Sequence, residues 1–421
     1  MTPDTVVVLA KSPVPGRVKT RLTPTFTPHE AAALATAAIR DTLDAVSQAR
    51  PRRTVIAWDG PRTRWLPEHA VVHAQRGATL DERLEHVFAD LLGADDDRPT
   101  LLVGMDTPQL RGSDLDVDWS GVDAVLGLSE DGGYWAIGFR RYHRGAIEGV
   151  PMSTERTGAE QLARLRSLGL TVRLLAPMRD VDEPGDAFEV ARLAPQSRFG
   201  RLHRRLVSTP CPPTTLFEAA IAGGDVHVHA GGSTRVSCRP LDVRAWLAMS
   251  AADELLVSRC EGPVLDIGCG PGRFVEALAE RGTPALGVDV SAGAVAQTSR
   301  RGACALLRNV MDRLPGEGRW ATVLLADGNI GIGGDPLTLL SRCRELVRPG
   351  AVALVETSPD DTVDLRTTVT LHEPHGRHSR PIPWAVIGTV PLIRLAGRAG
   401  FVAIEDWRVD GRAFVALRHA G

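Results

Sequence analysis

Lysine is nearly missing from this chain. Of 49 basic residues only Lys11 and Lys19 are lysines, and both fall in one short loop. Arginine serves everywhere else, so a lysine in this loop points to a task that a planar guanidinium fills badly, such as a compact point charge at a phosphate. Aromatic residues are also scarce, at 5%, and the net charge is only -2. Without a basic surplus or stacking side chains, no nucleic-acid partner is expected. No stretch approaches the roughly eighteen apolar residues of a membrane-spanning helix. The N-terminus enters an apolar run at residues 6–9 without a secretory pattern. A cytoplasmic chain with no membrane span is the expectation. The six cysteines are scattered with no C-x-x-C, which excludes a zinc motif or a disulfide framework. No internal repeat is visible, and oligomeric state is not readable.

At 421 residues the chain is too long for one ordinary core, so two α/β domains are expected. The C-terminal one is organised around residues 264–272, V-L-D-I-G-C-G-P-G. An apolar run ends in Asp266, and Gly268, Gly270 and Gly272 follow at alternate places. The run suits a buried parallel strand, and the glycines let backbone N–H groups approach a ligand closely. A helix beginning near Phe274 puts this loop at a helix N-terminus, where anionic and polar groups are well received. The spacing is G-x-G-x-G, not the G-x-G-x-x-G of a dinucleotide site. A second apolar run ends in Asp289, placed to accept from ribose hydroxyls. A third strand ends in Asn309, whose amide oxygen can accept from an adenine amino group, with Asp312 as the alternative acceptor. A fourth ends in the loop Asp327-Gly328-Asn329. Asp327 and Asn329 are candidates for orienting an acceptor, with Asp327 as general base; equally, the loop acids only cap the next helix. Residues 372–378 carry three histidines whose spacing does not match H-E-x-x-H, so a loose loop is expected there. Trp384 is expected to open a helix reaching Ala399.

In the N-terminal half, a strand over residues 5–10 breaks into K-S-P-V-P-G-R-V-K-T-R-L. Lys11, Arg17, Lys19 and Arg21 gather four cations at the carboxyl end of a first strand, where open sheets bind ligands. The loop is either a polyphosphate cradle or a solvated basic loop. Asp106 follows another short strand in G-M-D-T-P, and Asp182 follows a late one in D-V-D-E-P. Singly these read as a turn acid and a capping acid. Facing a cationic loop together, they have the chemistry of a site for Mg²⁺ (or Mn²⁺) and a nucleotide.

These motifs carry two resemblances. Residues 217–418 resemble the class I S-adenosylmethionine-dependent methyltransferases. Residues 5–193, with E-D-G-G-Y-W as a further motif, are similar to bacterial GT-A-like transferases of the glycosyltransferase A superfamily, some of them linked to arsenosugar biosynthesis. The resemblances imply a GT-A-like (nucleotide-diphospho-sugar transferase) sheet over residues 1–195, a linker over 196–213, and a Rossmann-like methyltransferase sheet over 214–421. They imply S-adenosylmethionine held by Asp266, Gly268, Gly270, Gly272, Asp289 and Asn309. They imply a nucleotide or nucleotide-sugar donor with its phosphates on Lys11, Arg17, Lys19 and Arg21, its metal on Asp106 and Asp182, and Asp131 near the sugar or the acceptor. Position 104 is glycine, so the paired D-x-D of many glycosyltransferases is missing. That leaves nucleotidyl transfer of the phospholactate or molybdopterin type open beside glycosyl transfer. The expectation is a bifunctional transferase acting on small molecules. The alternative is a non-catalytic nucleotide-binding module joined to one working methyltransferase.

Overall fold

The computed structural model describes residues 3–92, 98–231 and 237–421. The chain divides into two compact units, Met1–Ser208 and Thr209–Gly421.

In chain order the first unit holds β1 (Thr5–Lys11), α1 (Pro28–Ala49), β2 (Arg53–Asp59), β3 (Val71–Ala74), α2 (Leu80–Leu91), β4 (Thr100–Gly104), β5 (Ala124–Ser129), β6 (Tyr134–Phe139), α3 (Thr157–Ser167), β7 (Val172–Met178), α4 (Pro184–Leu193) and α5 (Arg198–Ser208). Its sheet runs β3-β2-β1-β4-β6-β5-β7. β6 is antiparallel to both its neighbours, while β1, β2, β3 and β4 run parallel. Both faces are covered, which explains the unbroken apolar run of β1. Val6, Val8 and Ala10 pack on one side with α1, and Val7 packs on the other with α2 and α3. α1 starts cleanly because Thr27 and Glu30 form a reciprocal cap and Pro28 occupies the first turn.

The expected linker is not one. Residues 198–208 form α5, which seals a core with α1 and α4 through the fully buried Phe199. The Asp41 carboxylate on α1 accepts from the Arg198 and Phe199 N–H groups at 3.0 and 2.8 Å, capping the helix from outside.

The second unit holds α6 (Pro213–Ile221), β8 (His227–Gly231), β9 (Ser237–Pro240), α7 (Ala251–Val257), β10 (Val264–Ile267), α8 (Arg273–Glu280), β11 (Ala285–Asp289), α9 (Ala292–Arg300), β12 (Ala305–Leu307), β13 (Trp320–Leu325), α10 (Pro336–Leu346), β14 (Val347–Thr357), β15 (Asp364–His372), β16 (Ile382–Ile387), α11 (Thr389–Arg398), β17 (Phe401–Val409) and β18 (Arg412–His419). The main sheet runs β12-β11-β10-β13-β14-β18-β17, with β18 antiparallel to β14 and β17. The order reverses between β10 and β13, so the two loops leaving those strands flank a crevice at the carboxyl edge.

A second sheet, β16-β15-β8-β9, is antiparallel throughout. Trp384 lies in β16 and not in a helix, which corrects the expectation there. The run I-P-W-A-V-I is short and apolar, and such runs do not separate strand from helix by periodicity. The helix begins only at Thr389, with Pro391 tolerated in its first turn.

Candidate active sites

In the first unit β1, β4, β5 and β7 deliver their carboxyl ends to one edge. Buried Val18 and Leu22 anchor the basic loop, leaving Lys11, Arg17 and Arg21 exposed. Lys19 turns inward instead. Its backbone takes the left-handed conformation at φ 48°, and its ammonium lies 2.9 Å from both Asp106 Oδ1 and Asp182 Oδ1. Burial works against that charge, but the two carboxylates outweigh it and hold the lysine pKa above its usual value. Arg21 reaches the other Asp182 oxygen at 3.3 Å. Burial alone would raise the Asp182 pKa; Lys19 and Arg21 win and lower it. Lys19 is therefore not presented to a phosphate, contrary to expectation, because its ammonium is spent on the two acids.

The expected metal pair, Asp106 and Asp182, meets across the Lys19 ammonium. Val181 N–H donates to Asp106 O at 3.0 Å, bringing the β4 and β7 loops together. The acids that gather are nevertheless Asp131, Asp180 and Asp182, with one oxygen from each within 4.8 Å of the others. Among the described residues this is the one acid, histidine or cysteine group of three or more that close. Asp106 faces Lys19 instead. Asp131 stands at the β5–β6 turn, where its carboxylate accepts from Gly133 N–H at 2.8 Å. Asp180 is pushed up to about 7, first by burial and then by repulsion from Asp131, Asp182 and Asp106. Asp180 is not among the expected residues, yet its i, i+2 spacing from Asp182 beyond a strand end is a usable signal.

In the second unit Gly268, Gly270 and Gly272 all have positive φ, at 73°, 53° and 88°. Beside Gly270 a Cβ would meet nothing within 4 Å, so that stretch of backbone is open to a ligand. At Gly272 a Cβ would lie 2.5 Å from the Thr298 side chain, which closes the loop against α9. Asp266 is fully buried, and neither carboxylate oxygen has a hydrogen-bond partner. Burial pushes its pKa up to about 7, with Asp327 and Asp289 adding repulsion and Arg273 opposing. An orphaned carboxylate beneath an open glycine loop is a place prepared for a cationic or hydrogen-donating ligand.

Asp289 stands at the end of β11 as expected. Its two oxygens accept from Gly270 N–H at 3.0 Å and Ser291 N–H at 2.8 Å, so it also braces the glycine loop. Burial raises its pKa. Asn309 is exposed beyond β12, and its side-chain oxygen accepts from Met311 N–H at 3.0 Å. Val290 and Met311, just past adjacent strand ends, are 54% and 42% exposed. The sequence reading did not single out these apolar residues beside the crevice.

The two expected catalytic residues of this unit are otherwise employed. Both Asp327 oxygens are gripped by the Arg273 guanidinium at 2.8 Å. Both oxygens are taken by the one guanidinium, and neither faces the crevice unpartnered. Asp327 is thus not a free general base. The Asn329 NH₂ group donates to Ile267 O at 2.9 Å and Gly268 O at 3.0 Å, tying the β13 loop to the glycine loop. His372 and His378 bridge to each other across a turn that holds His375, so the expected loop narrows to residues 373–377. His372 closes β15, His229 stacks on it at 4.0 Å and His378 at 5.7 Å. Parallel rings at that spacing do not converge their nitrogens on one point.

Residues 35–154 match a family described as an uncharacterized protein conserved in bacteria (DUF2064), and residues 264–350 match one described as a methyltransferase domain. No curated protein matches the chain. A structure named as a nucleotide-diphospho-sugar transferase from Desulfovibrio desulfuricans G20 is 25% identical, over 49% of this chain and 96% of its own, with a TM-score of 0.44. A methyltransferase from Bacteroides fragilis in complex with S-adenosylhomocysteine is 20% identical, over 50% and 95%, with a TM-score of 0.42. A Burkholderia thailandensis 1,6-didemethyltoxoflavin N1-methyltransferase is 21% identical, over 43% and 82%, with a TM-score of 0.34. Residues 264–350 thus match a methyltransferase domain, and the N-terminal half is similar to a structure named as a nucleotide-diphospho-sugar transferase.

Proposed function

We propose that the chain is a bifunctional transferase. The second unit moves a methyl group from S-adenosylmethionine to a small molecule, and the first uses a divalent cation to transfer a glycosyl group from a nucleotide sugar. The observation that carries the methyl-transfer reading is the orphaned Asp266 beneath the open backbone at Gly270. Asp266 would receive the cofactor's ammonium group, Asp289 its ribose and Asn309 its adenine, with Val290 and Met311 against the adenine faces. The bound cofactor supplies a methyl group on a sulfonium, already a good leaving group. The protein's share is therefore orientation and exclusion of water.

In the first unit Asp131, Asp180 and Asp182 offer three oxygen ligands of the kind Mg²⁺ or Mn²⁺ prefers. The cation would supply charge neutralisation at the donor phosphates. Lys11, Arg17 and Arg21, exposed on the loop after β1, would hold those phosphates. On this reading Asp131 would serve the metal and not the sugar. Nucleotidyl transfer is the second reading, favoured by Gly104, which leaves Asp106 as the single acid at the end of β4.

The test is a thermal-shift panel on the full chain. S-adenosylhomocysteine should stabilise one transition. A nucleotide sugar or diphosphate with Mn²⁺ should stabilise another, and Asp182→Asn should abolish that second shift. At about a hundred times Kd each ligand adds about 2.7 kcal/mol. A triphosphate as the best metal-dependent ligand would favour nucleotidyl transfer. No nucleotide shift at all would leave the first unit a non-catalytic module.

A further inference from the structure

The loop after β13 is fastened at three points. At its start, Asp327 and Gly328 both take the left-handed backbone, at φ 55° and 77°. For a non-glycine residue that conformation persists only when its surroundings enforce it. Here the enforcement is a closed ring of charges. Arg273 grips Asp327 and also donates to Asp253 at 3.2 and 3.3 Å. Arg412 joins Asp253, at 2.7 Å, to Glu356, at 2.7 Å through both carboxylate oxygens. Glu356 then accepts from Asp327 N–H at 2.6 Å and closes the ring. The second fastening is Asn329, donating into the glycine loop. The third is Gly331, where a Cβ would stand 2.2 Å from Ala385 O and against the Trp384 ring, and Ile332 bridges to Trp384. The glycine loop, the β13 loop and β16 of the second sheet therefore form one continuous chain of contacts. Arg273 is the residue directly after Gly272 and is 96% buried, so it belongs to both ends of that chain.

Charge links the two ends as well. Asp266 faces Arg273, Asp327 and Asp289 electrostatically, and its ionised form repels Asp327. A cationic ligand group beside Asp266 offsets that repulsion and so strengthens the existing Arg273–Asp327 pair. We propose that Arg273 is a positioning residue that makes the acceptor side of the methyl-transfer site depend on the cofactor side: cofactor binding tightens residues 327–332 and β16, already fastened in the free chain, through the Arg273–Asp327 grip, so that the acceptor face sets firmly only with the cofactor in place. The proposal rests on the methyltransferase reading of this unit.

Hydrogen exchange on the full chain, with and without S-adenosylhomocysteine, tests it. In the wild type, exchange should slow at least tenfold at residues 327–332 and 382–387, besides the glycine loop. Arg273→Lys keeps one charge but cannot fork between Asp253 and Asp327. It should bind S-adenosylhomocysteine within about threefold of the wild type by calorimetry while losing the distant protection. Asp327→Asn, which keeps the shape and drops the charge, should behave alike and serves if Arg273→Lys does not fold. Protection confined to the glycine loop and β11 in the wild type overturns the proposal without any variant, as does full distant protection in either variant. Failure of the wild type to bind S-adenosylhomocysteine overturns instead the methyltransferase reading on which it stands.

Discussion

Replacing Asp266 with asparagine should make the ligand-free chain more stable and the cofactor unable to bind. The direction follows from the raised pKa, about 7 against about 3.9 unfolded. Folding then disfavours the ionised form. The cost is absent below about pH 4, grows as pH rises, and is complete above about pH 7. By linkage it is about 1.5 kcal/mol at pH 5 and about 4 kcal/mol at pH 8. The asparagine amide inherits a site without partners, which returns about 1–3 kcal/mol. The net expectation is no gain at pH 5 and about 2 kcal/mol at pH 8. For a unit of this size that is a rise in Tm of about 4–8 °C at pH 8. Scanning calorimetry of both proteins at the two pH values, with and without S-adenosylhomocysteine, reads both effects. A variant that melts lower at pH 8, or that S-adenosylhomocysteine still stabilises as fully as the wild type, would refute the reasoning that Asp266 is held in reserve for a ligand.

Other substitutions probe other parts. Asp253 is 3% exposed, and although burial opposes its charge, Arg273 and Arg412 hold its pKa down at about 2. Its stabilisation is complete above about pH 4 and lost as pH falls through about 2; Asp253→Asn should cost about 3 kcal/mol at pH 7 by urea unfolding, with the gap to wild type narrowing in acid. Lys19→Met leaves Asp106 and Asp182 without their ammonium and should destabilise the first unit by about 3 kcal/mol. Millimolar Mn²⁺ should restore more Tm in that variant than it adds to the wild type, and an equal effect on both would remove the acid edge as a cation site. Gly272→Ala meets both a positive φ and the Thr298 side chain. It should lower stability by about 2–4 kcal/mol and abolish the S-adenosylhomocysteine shift, both read by thermal unfolding.

What was legible in the sequence lay within short stretches. The glycine loop announces itself because strand, turn and helix start are contiguous, and Asp266 comes with it. The cationic loop and the acids beyond β4 and β7 were legible as a neighbourhood for the same reason. Partnerships were not. Asp327 reads as a base until Arg273, 54 positions earlier, takes both its oxygens. Lys19 reads as a phosphate ligand until the fold turns it under Asp106 and Asp182, the latter 163 positions away. Ion pairs between distant segments leave no periodicity to read. The second sheet was missed for a related reason: β8 and β15 lie far apart in the chain, and only their pairing makes either recognisable as a strand.

The Asp41 cap on α5 decides where this chain can be divided. A cut in the proline-rich stretch near residue 195, where composition alone places the seam, would strip Phe199 from its core and leave a buried carboxylate with no N–H groups to receive. A cut after Ser208 falls where the chain divides into its two compact units. The seam is set by one aspartate in the fourth turn of α1, 157 residues before the helix that it caps. Any exchange of either half for another enzyme's would have to respect it.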